Sequence, residues 1–491
     1  MQATVVPQKT ENVEAYMKRK AGLGKSFDFG MREIVILKTK VQLYYVNGLV
    51  DSSIIVQLMQ ELVNINDHEV QEKKAAEIIE NRLVHEQVEK VKTMDEVVDQ
   101  VLSGLVAIFV NGLSYSFVLD VRHYPGRTPD EPDTERVIRG SRDGFTENIV
   151  ENTALTRRRI RDERLRNEVM KVGERSKTDI CISYLQDVAD DEFVQYAKEK
   201  ISAIDVDGIP MADKTLEEFI LGGKWNPFPM VKYTERPDVA ARQLLDGHVL
   251  IYVDTSPSII ILPTTFFNCL EHAEEMRQSP AVGTFIRWIR LLAVLSSLYL
   301  LPLWLLFTMD PSLLPKSLSF IGPNEEGNVA IYLQIIFAEI GVEFLRMAAV
   351  HTPTPLATAL GLVAAVLIGQ IAVDVGLFSP EVILYVAIST IGSYVTPSYE
   401  LSVANKIMKL FLVITTAIFG VPGFVVGVTI SLLFLISLNA FKTPYLWPFI
   451  PFNANALFRF ILRLPTPLLN RRPSIVHPKD EYSQPVKRNR K

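Results

Sequence analysis

The sequence predicts an α/β domain made of two related subdomains, followed by an α-helical multi-span membrane domain of about six segments. Three observations predict this. Charged residues are dense as far as Arg277 and then thin out until the C-terminal tail, where long runs of Leu, Ile, Val, Ala and Phe take over. One order of strand-like and helix-like blocks occurs twice in the first half. Several stretches of the second half approach the roughly 20 apolar residues that a spanning helix needs. With 491 residues the chain has room for several domains, and its formal net charge of −5 points to no particular partner.

Residues 1–29 read as a flexible N-terminal segment. "MQATVVPQKTENVEAYMKRK" has no apolar core, so no signal peptide is expected and the first half is expected to face the cytoplasm. Subdomain one covers 30–138. "REIVILKTKVQLYYVNGLV" reads as two strands and "DSSIIVQLMQELVNI" as a helix. "MDEVVDQVLSGLVAIFVNGLSYSFVLDV" then reads as helix, strand, turn and strand, with the turn at Asn111-Gly112. Subdomain two, 175–280, repeats this order. "QVLSGLVAIFVNGLSYSFVL" and "QLLDGHVLIYVDTSPSIIIL" nearly superimpose in their apolar and small turn residues.

Between the subdomains, 139–174 reads as an arginine-rich connector that includes Arg157, Arg158, Arg159 and Arg161, with Asp162 and Glu163 interleaved. It fits a solvated, ion-paired connector helix. It also fits a contact between subunits. Nucleic acid is a weaker fit, because no aromatic platform or known module accompanies the basic residues. Cys181 and Cys269 form no disulfide framework and no metal-ligand spacing, so buried reduced thiols are expected.

Several short patterns carry no chemistry. "GLGKS" at 22–26 resembles the end of a phosphate loop, but Arg19 stands where that loop needs glycine, and a strand-like run follows where it needs a helix. "DFG" at 28–30 lacks the rest of a kinase's motifs. The seven histidines are scattered, and neither HExxH nor GxSxG occurs. Nothing assembles a nucleophile, base and orienter, so neither enzyme activity nor a metal or cofactor is expected.

The membrane domain is expected over 281–441, with segments at 291–309, 329–350, 356–378, 380–396, 407–420 and 421–441. The last two form one apolar run too long for a single upright helix at 1.5 Å per residue, and "GVPG" at 420–423 offers a break. Basic ends alternate with acidic or uncharged ones: Arg287 and Arg290 precede the first segment, and Lys406 and Lys409 precede the fifth. Six segments place both termini on the cytoplasmic side. "GTFIRWIR" puts Trp288 at headgroup depth, and "PYLWPFIPF" supplies a second aromatic girdle. The tail, 442–491, is Pro-rich and basic, and its end "PVKRNRK" suits a disordered segment touching anionic lipid.

Polar groups inside the apolar segments are the candidate site. Gln370 and Asp374 share a helix face within "LGLVAAVLIGQIAVDVGLF". Ala357, Gly361, Ala365 and Gly369 form a small-residue stripe at four-residue spacing, suited to close helix packing. Glu339, Glu343 and Arg346 share a face of the second segment, where Glu343 and Arg346 could neutralise each other. Such groups normally face a bundle interior or water. The bland alternatives are that Asp374 reaches the interface and that the second segment lies flat on the membrane. A transporter should show an inverted repeat, and none is clear in the spans. Six short segments leave one chain little room for a pore, so a lumen would form between subunits around an axis. Acidic groups there would favour cations.

Several long motifs in order carry a family resemblance: "RGSRDGFTENIVENTALTRRRIR", "DTSPSIIILPTTFF", "GTFIRWIR", "VEFLRMAAVHTPTP", "IGQIAVDVGLFSP" and "TPSYELSVAN". Together, over about 25–451, they resemble the GerA-type spore germination A subunits. "GERSKTDICISYL", "GIPMADKTLEEFI" and "IGPNEEGN" resemble the SpoVAF branch of that family. The resemblance implies a spore-forming host, a place in the spore inner membrane and a two-subdomain N-terminal domain. It implies ring homo-oligomers, pentamers, that act as ion channels and release cations or amplify the germination signal. It implies a small membrane protein and germination receptor complexes as partners, with nutrient recognition left to a transporter-like B subunit. It implies no catalytic residues. The competing reading is a non-conducting scaffold or regulator of germination receptors or of dipicolinate release.

Overall fold

Alternating and continuous apolar runs become two sheets of the same topology. The computed structural model describes residues 4–68, 78–79, 88–121, 131–132, 135–223, 225–322, 328–351 and 369–484. The chain divides into one unit of Met1–Lys224, Val231–Pro263 and Thr466–Lys491, and another of Trp225–Met230 and Thr264–Pro465.

In the first unit, α1 (Thr10–Lys20) precedes β1 (Phe29–Ile36), β2 (Thr39–Val46), α2 (Ser52–His68), β3 (Val88–Val91), α3 (Met94–Leu102), β4 (Val106–Val110) and β5 (Ser116–Leu119). The sheet runs β1-β2-β4-β5-β3, with every neighbour antiparallel. Both faces are covered, which is why β4, "VAIFV", reads as an unbroken apolar run. Ala107 and Phe109 pack with Val13 and Met17 of α1 and Val97 and Val101 of α3. Val106, Ile108 and Val110 pack on the other face with Ile55 and Leu62 of α2. Segment 1–29 therefore differs from the expected flexible leader: α1 contributes to the first core.

The second half of this unit is α4 (Ile149–Arg159), β6 (Leu165–Val172), β7 (Thr178–Leu185), α5 (Asp191–Ser202), α6 (Ala212–Leu221), β8 (Lys232–Thr234), α7 (Pro237–Asp246), β9 (Val249–Val253) and β10 (Ile259–Leu262). Its sheet order, β6-β7-β9-β10-β8, repeats the first sheet's. The turns repeat too. Gly104 (φ 96°) follows α3 and Gly247 (φ 104°) follows α7, each in the left-handed region where glycine carries no Cβ penalty. The stretch 139–174 is thus no free connector. It contains α4 and β6, the first strand of sheet two.

The tail also returns to this unit. Val476 is fully buried near Gly247 and Val188. Arg472 Nε donates to Leu245 O at 2.7 Å, and Lys479 Nζ meets Asp191 Oδ1 at 2.6 Å. The expected disordered end, 485–491, lies outside the described residues.

The other unit is helical: α8 (Ala273–Arg277), α9 (Pro280–Met309), α10 (Ile331–His351), α11 (Pro380–Val395), α12 (Tyr399–Ser437) and α13 (Ala454–Ile461). Among the described residues two helices, α9 and α12, are long and apolar enough to cross a membrane. The core of this unit gathers Leu301, Trp304 and Leu305 of α9 with Ile335 of α10, Val382 and Val386 of α11 and Val413 of α12. Helix α12 breaks at Gly420 (φ 61°, ψ −133°), inside the "GVPG" marked by the sequence. The break is a reversal. Ser431 Oγ lies 2.9 Å from Met408 Sδ, whereas 23 residues of straight helix would separate them by about 35 Å.

Candidate functional site

The polar residues of the helical unit meet across α10, α11 and α12. Glu339 and Glu343 are one turn apart on α10, and Lys409 and Lys406 are one turn apart on α12. Their order is reversed between the helices, so Glu339 pairs with Lys409 and Glu343 with Lys406. The first pair is 2.6 Å apart, with both side chains only 1% exposed. Lys409 Nζ also donates to Ser389 Oγ at 3.0 Å on α11, and Ser389 Oγ donates to Ser297 O at 3.2 Å on α9. The ammonium therefore ties α12 to α10 and α11, and Ser389 extends the chain of bonds to α9. Glu339 Oε2 is buried with no hydrogen-bond partner among the described residues.

Geometry of this kind has large consequences in an apolar interior. A charge pair there must be matched closely, because removing one partner leaves the other desolvated and typically costs about 3–5 kcal/mol. The close packing comes from small residues beside the pair. A Cβ on Gly392 of α11 would stand 2.3 Å from Ala293 O of α9.

The sequence-predicted residues fare differently. Glu339 is inside the bundle rather than on an open face. Glu343 pairs with Lys406 and not with Arg346. Arg346 instead lies over the rings of Tyr399 (4.5 Å) and Tyr394 (5.5 Å). Gln370 and Asp374 are both exposed, at a π-turn and the single helical turn that follows it. Gly369 has open space where a Cβ would stand, and Ala357, Gly361 and Ala365 lie outside the described residues. Lys406 and Lys409 were read as a basic flank, and the bundle buries both. Arg287 and Arg290 are likewise buried: both pair with Glu275, Arg287 Nε at 2.7 Å. Only their i, i+3 spacing beside apolar residues hinted at this use.

The arginine cluster divides as well. Arg157 is buried, its Nε 2.7 Å from Asp28 Oδ2, and its Nη2 donates to Leu165 O at 3.2 Å. Asn167 Nδ2 donates to the same Asp28 oxygen at 2.9 Å, and Ser183 Oγ donates to Asn167 Oδ1 at 2.7 Å. Arg159 pairs with Asp143 at 2.5 Å. Arg158 and Arg161 are exposed. Arg157 is therefore an internal fastener of the α/β unit and not a surface contact. Cys181 and Cys269 are free and buried, and burial pushes the Cys181 thiol up. No group of three or more His, Cys, Asp or Glu able to hold a metal occurs among the described residues.

The family model described as Bacillus/Clostridium GerA spore germination protein matches residues 16–475. The chain belongs to the GerA spore germination family. It is 57% identical to Stage V sporulation protein AF of Bacillus subtilis (strain 168), over 96% of each chain. It is 29% identical to Spore germination protein KA of the same organism, over 98% of this chain and 89% of that one. A solved structure, the N-terminal domain of the A subunit of the Bacillus megaterium spore germinant receptor GerK3, aligns with 54% of this chain and 99% of that one at 24% identity and a TM-score of 0.43. The GerA relatives are named for germination and sporulation, not for a catalysed reaction.

Proposed function

We propose that the protein is a subunit of an oligomeric, pentameric ion channel of the spore inner membrane, which releases cations or amplifies the germination signal. Membership of a germination family and two helices able to cross a bilayer support the membrane role. The observation that carries the conducting role is the polar pair Gln370 and Asp374, exposed in a stretch of otherwise apolar sequence. Where such a pair lies within the bilayer its exposure favours a wet surface, here a lumen between copies. The ion pairs of α10 and α12 would hold the bundle that presents this surface. A small membrane protein and germination receptor complexes are the partners proposed for it.

Potassium flux from liposomes tests this, with wild type beside Gln370→Leu and Glu339→Gln, alone and with any small membrane protein that co-purifies. Loss of a wet amide that raises the barrier by about 1.4 kcal/mol slows flux about tenfold. Glu339→Gln should lower flux through loss of folded oligomer. Absence of flux from folded wild-type oligomer, with and without the partner, would remove the channel reading. A non-conducting scaffold is the second reading, favoured by one observation: Glu339 and Glu343 are neutralised within a single chain.

A further inference from the structure

We propose that the helical unit binds one acyl chain of an anionic phospholipid in a groove at the start of α9, with the lipid phosphate against Arg463. The proposal rests on the reading that α9 spans a bilayer. The groove has a volume of about 350 Å³ and is walled by Ala281, Thr284, Phe285 and Trp288 of α9 and by Leu462 and Arg463 beyond α13. Its lining is almost wholly apolar and includes no carboxylate.

Helix length sets the depth of this groove. The 30 residues of α9 extend about 45 Å, some 15 Å more than a hydrocarbon core of about 30 Å. Residues 291–309 carry no charged side chain, while Arg287 and Arg290 lie just before them, so the surplus is at the N-terminal end. The groove therefore falls at the boundary between headgroups and acyl chains. From its walls Phe285 and Trp288, the exposed stripe runs on to Leu292 and Leu295 at spacings of three and four residues, one continuous apolar face. Beside it, Phe458 and Ile461 of α13 are exposed together, as on a helix lying in the interface.

Charge selects the headgroup. Arg463 Nη2 donates to Met276 O at 2.8 Å and its backbone N donates to Thr284 Oγ1 at 3.1 Å, which fixes the guanidinium side of the groove. Arg287 and Arg290 both pair with Glu275, so this end of α9 presents several basic groups beside the groove. The chain's own end "PVKRNRK" is too polar for the groove's walls.

Native mass spectrometry of the full chain in mild detergent, with phosphatidylglycerol and phosphatidylcholine of equal chain length, tests the site. Wild type should retain phosphatidylglycerol about fivefold better, the effect of one basic residue near an anionic headgroup. Arg463→Gln should abolish that preference, and Ala281→Trp, which fills the groove, should lose both lipids. Equal retention of the two lipids by wild type, or unchanged phosphatidylglycerol retention in the variants that fold, overturns the proposal. Recovery of wild type outside the membrane fraction would sink this site and the channel reading together. Membrane-inserted protein indifferent to lipid would sink this site alone.

Discussion

Arg157 shows how much a single buried cation decides. Its guanidinium closes on Asp28, which arrives from a loop 129 residues earlier, and both are excluded from water. Arg157→Ala strands a carboxylate whose Oδ1 already has no partner among the described residues, and should lower stability by about 3–5 kcal/mol. The double variant Arg157→Ala/Asp28→Ala should recover part of that loss, and chemical denaturation of all three proteins measures the coupling. Strict additivity would mean that the pair does not fasten the unit. At the N-terminus Tyr16 donates to Asp95 Oδ1 at 2.8 Å. Burial, then this bond, pushes the phenol up to about 12, and the same bond holds Asp95 below the usual carboxylate range. A raised folded-state pKa gives stability that is whole below the unfolded value near 10 and is lost as pH climbs through the folded one. The thermal midpoint should fall between pH 10 and 12, and Tyr16→Phe should flatten that fall. A Tyr16→Phe profile parallel to wild type would remove Tyr16 as its cause. None of these partners was legible in the sequence. Charge and apolarity are local signals, but which carboxylate meets which arginine is settled only by how the strands and helices pack.

Among the elements, legibility depended on whether the signal was local. The Gly420 break was readable because Gly and Pro disturb a helix wherever it goes. The duplication was readable because the paired strands β4-β5 and β9-β10, with the helices α3 and α7 before them, left the same pattern twice; β6 fell inside the expected connector, and the short edge strands β3 and β8 were not read. Lys406 and Lys409 were misplaced because two lysines before an apolar run look the same whether they flank a membrane or enter a bundle. The α12 hairpin offers a test at this scale. A Cβ on Gly423 would stand 2.0 Å from the backbone oxygen of Thr415, which no side-chain adjustment relieves. Cysteines placed at Met408 and Ser431 should cross-link readily with a short reagent. Adding Gly423→Val should cut the cross-linked fraction several-fold by spreading the two arms, at a cost of about 1–3 kcal/mol from overpacking. Undiminished cross-linking would mean that the arms are not held by this glycine contact.

At the scale of the whole molecule, the chain's path constrains its topology. It leaves the α/β unit at Pro263 and rejoins it at Thr466, where Arg472, Val476 and Lys479 dock on the second subdomain. A folded unit built from both flanks cannot lie on two sides of a bilayer, so on the proposed membrane reading the helical unit between them crosses an even number of times. On that reading α9 is the first to cross, and the loop after Met309 lies on the opposite side. Cysteine labelling with a membrane-impermeant maleimide in sealed vesicles reads this directly, and the buried native Cys181 and Cys269 keep the background low. Ser202 and Ser483, exposed on the α/β unit, should behave alike when replaced by cysteine, and Ser312 should show the opposite accessibility. Opposite labelling at 202 and 483 would mean that the C-terminal segment does not return to the α/β unit in the membrane. Equal labelling at all three positions would mean that α9 does not cross, and with it would go the depth argument for the lipid groove and the lumen proposed for the assembled protein.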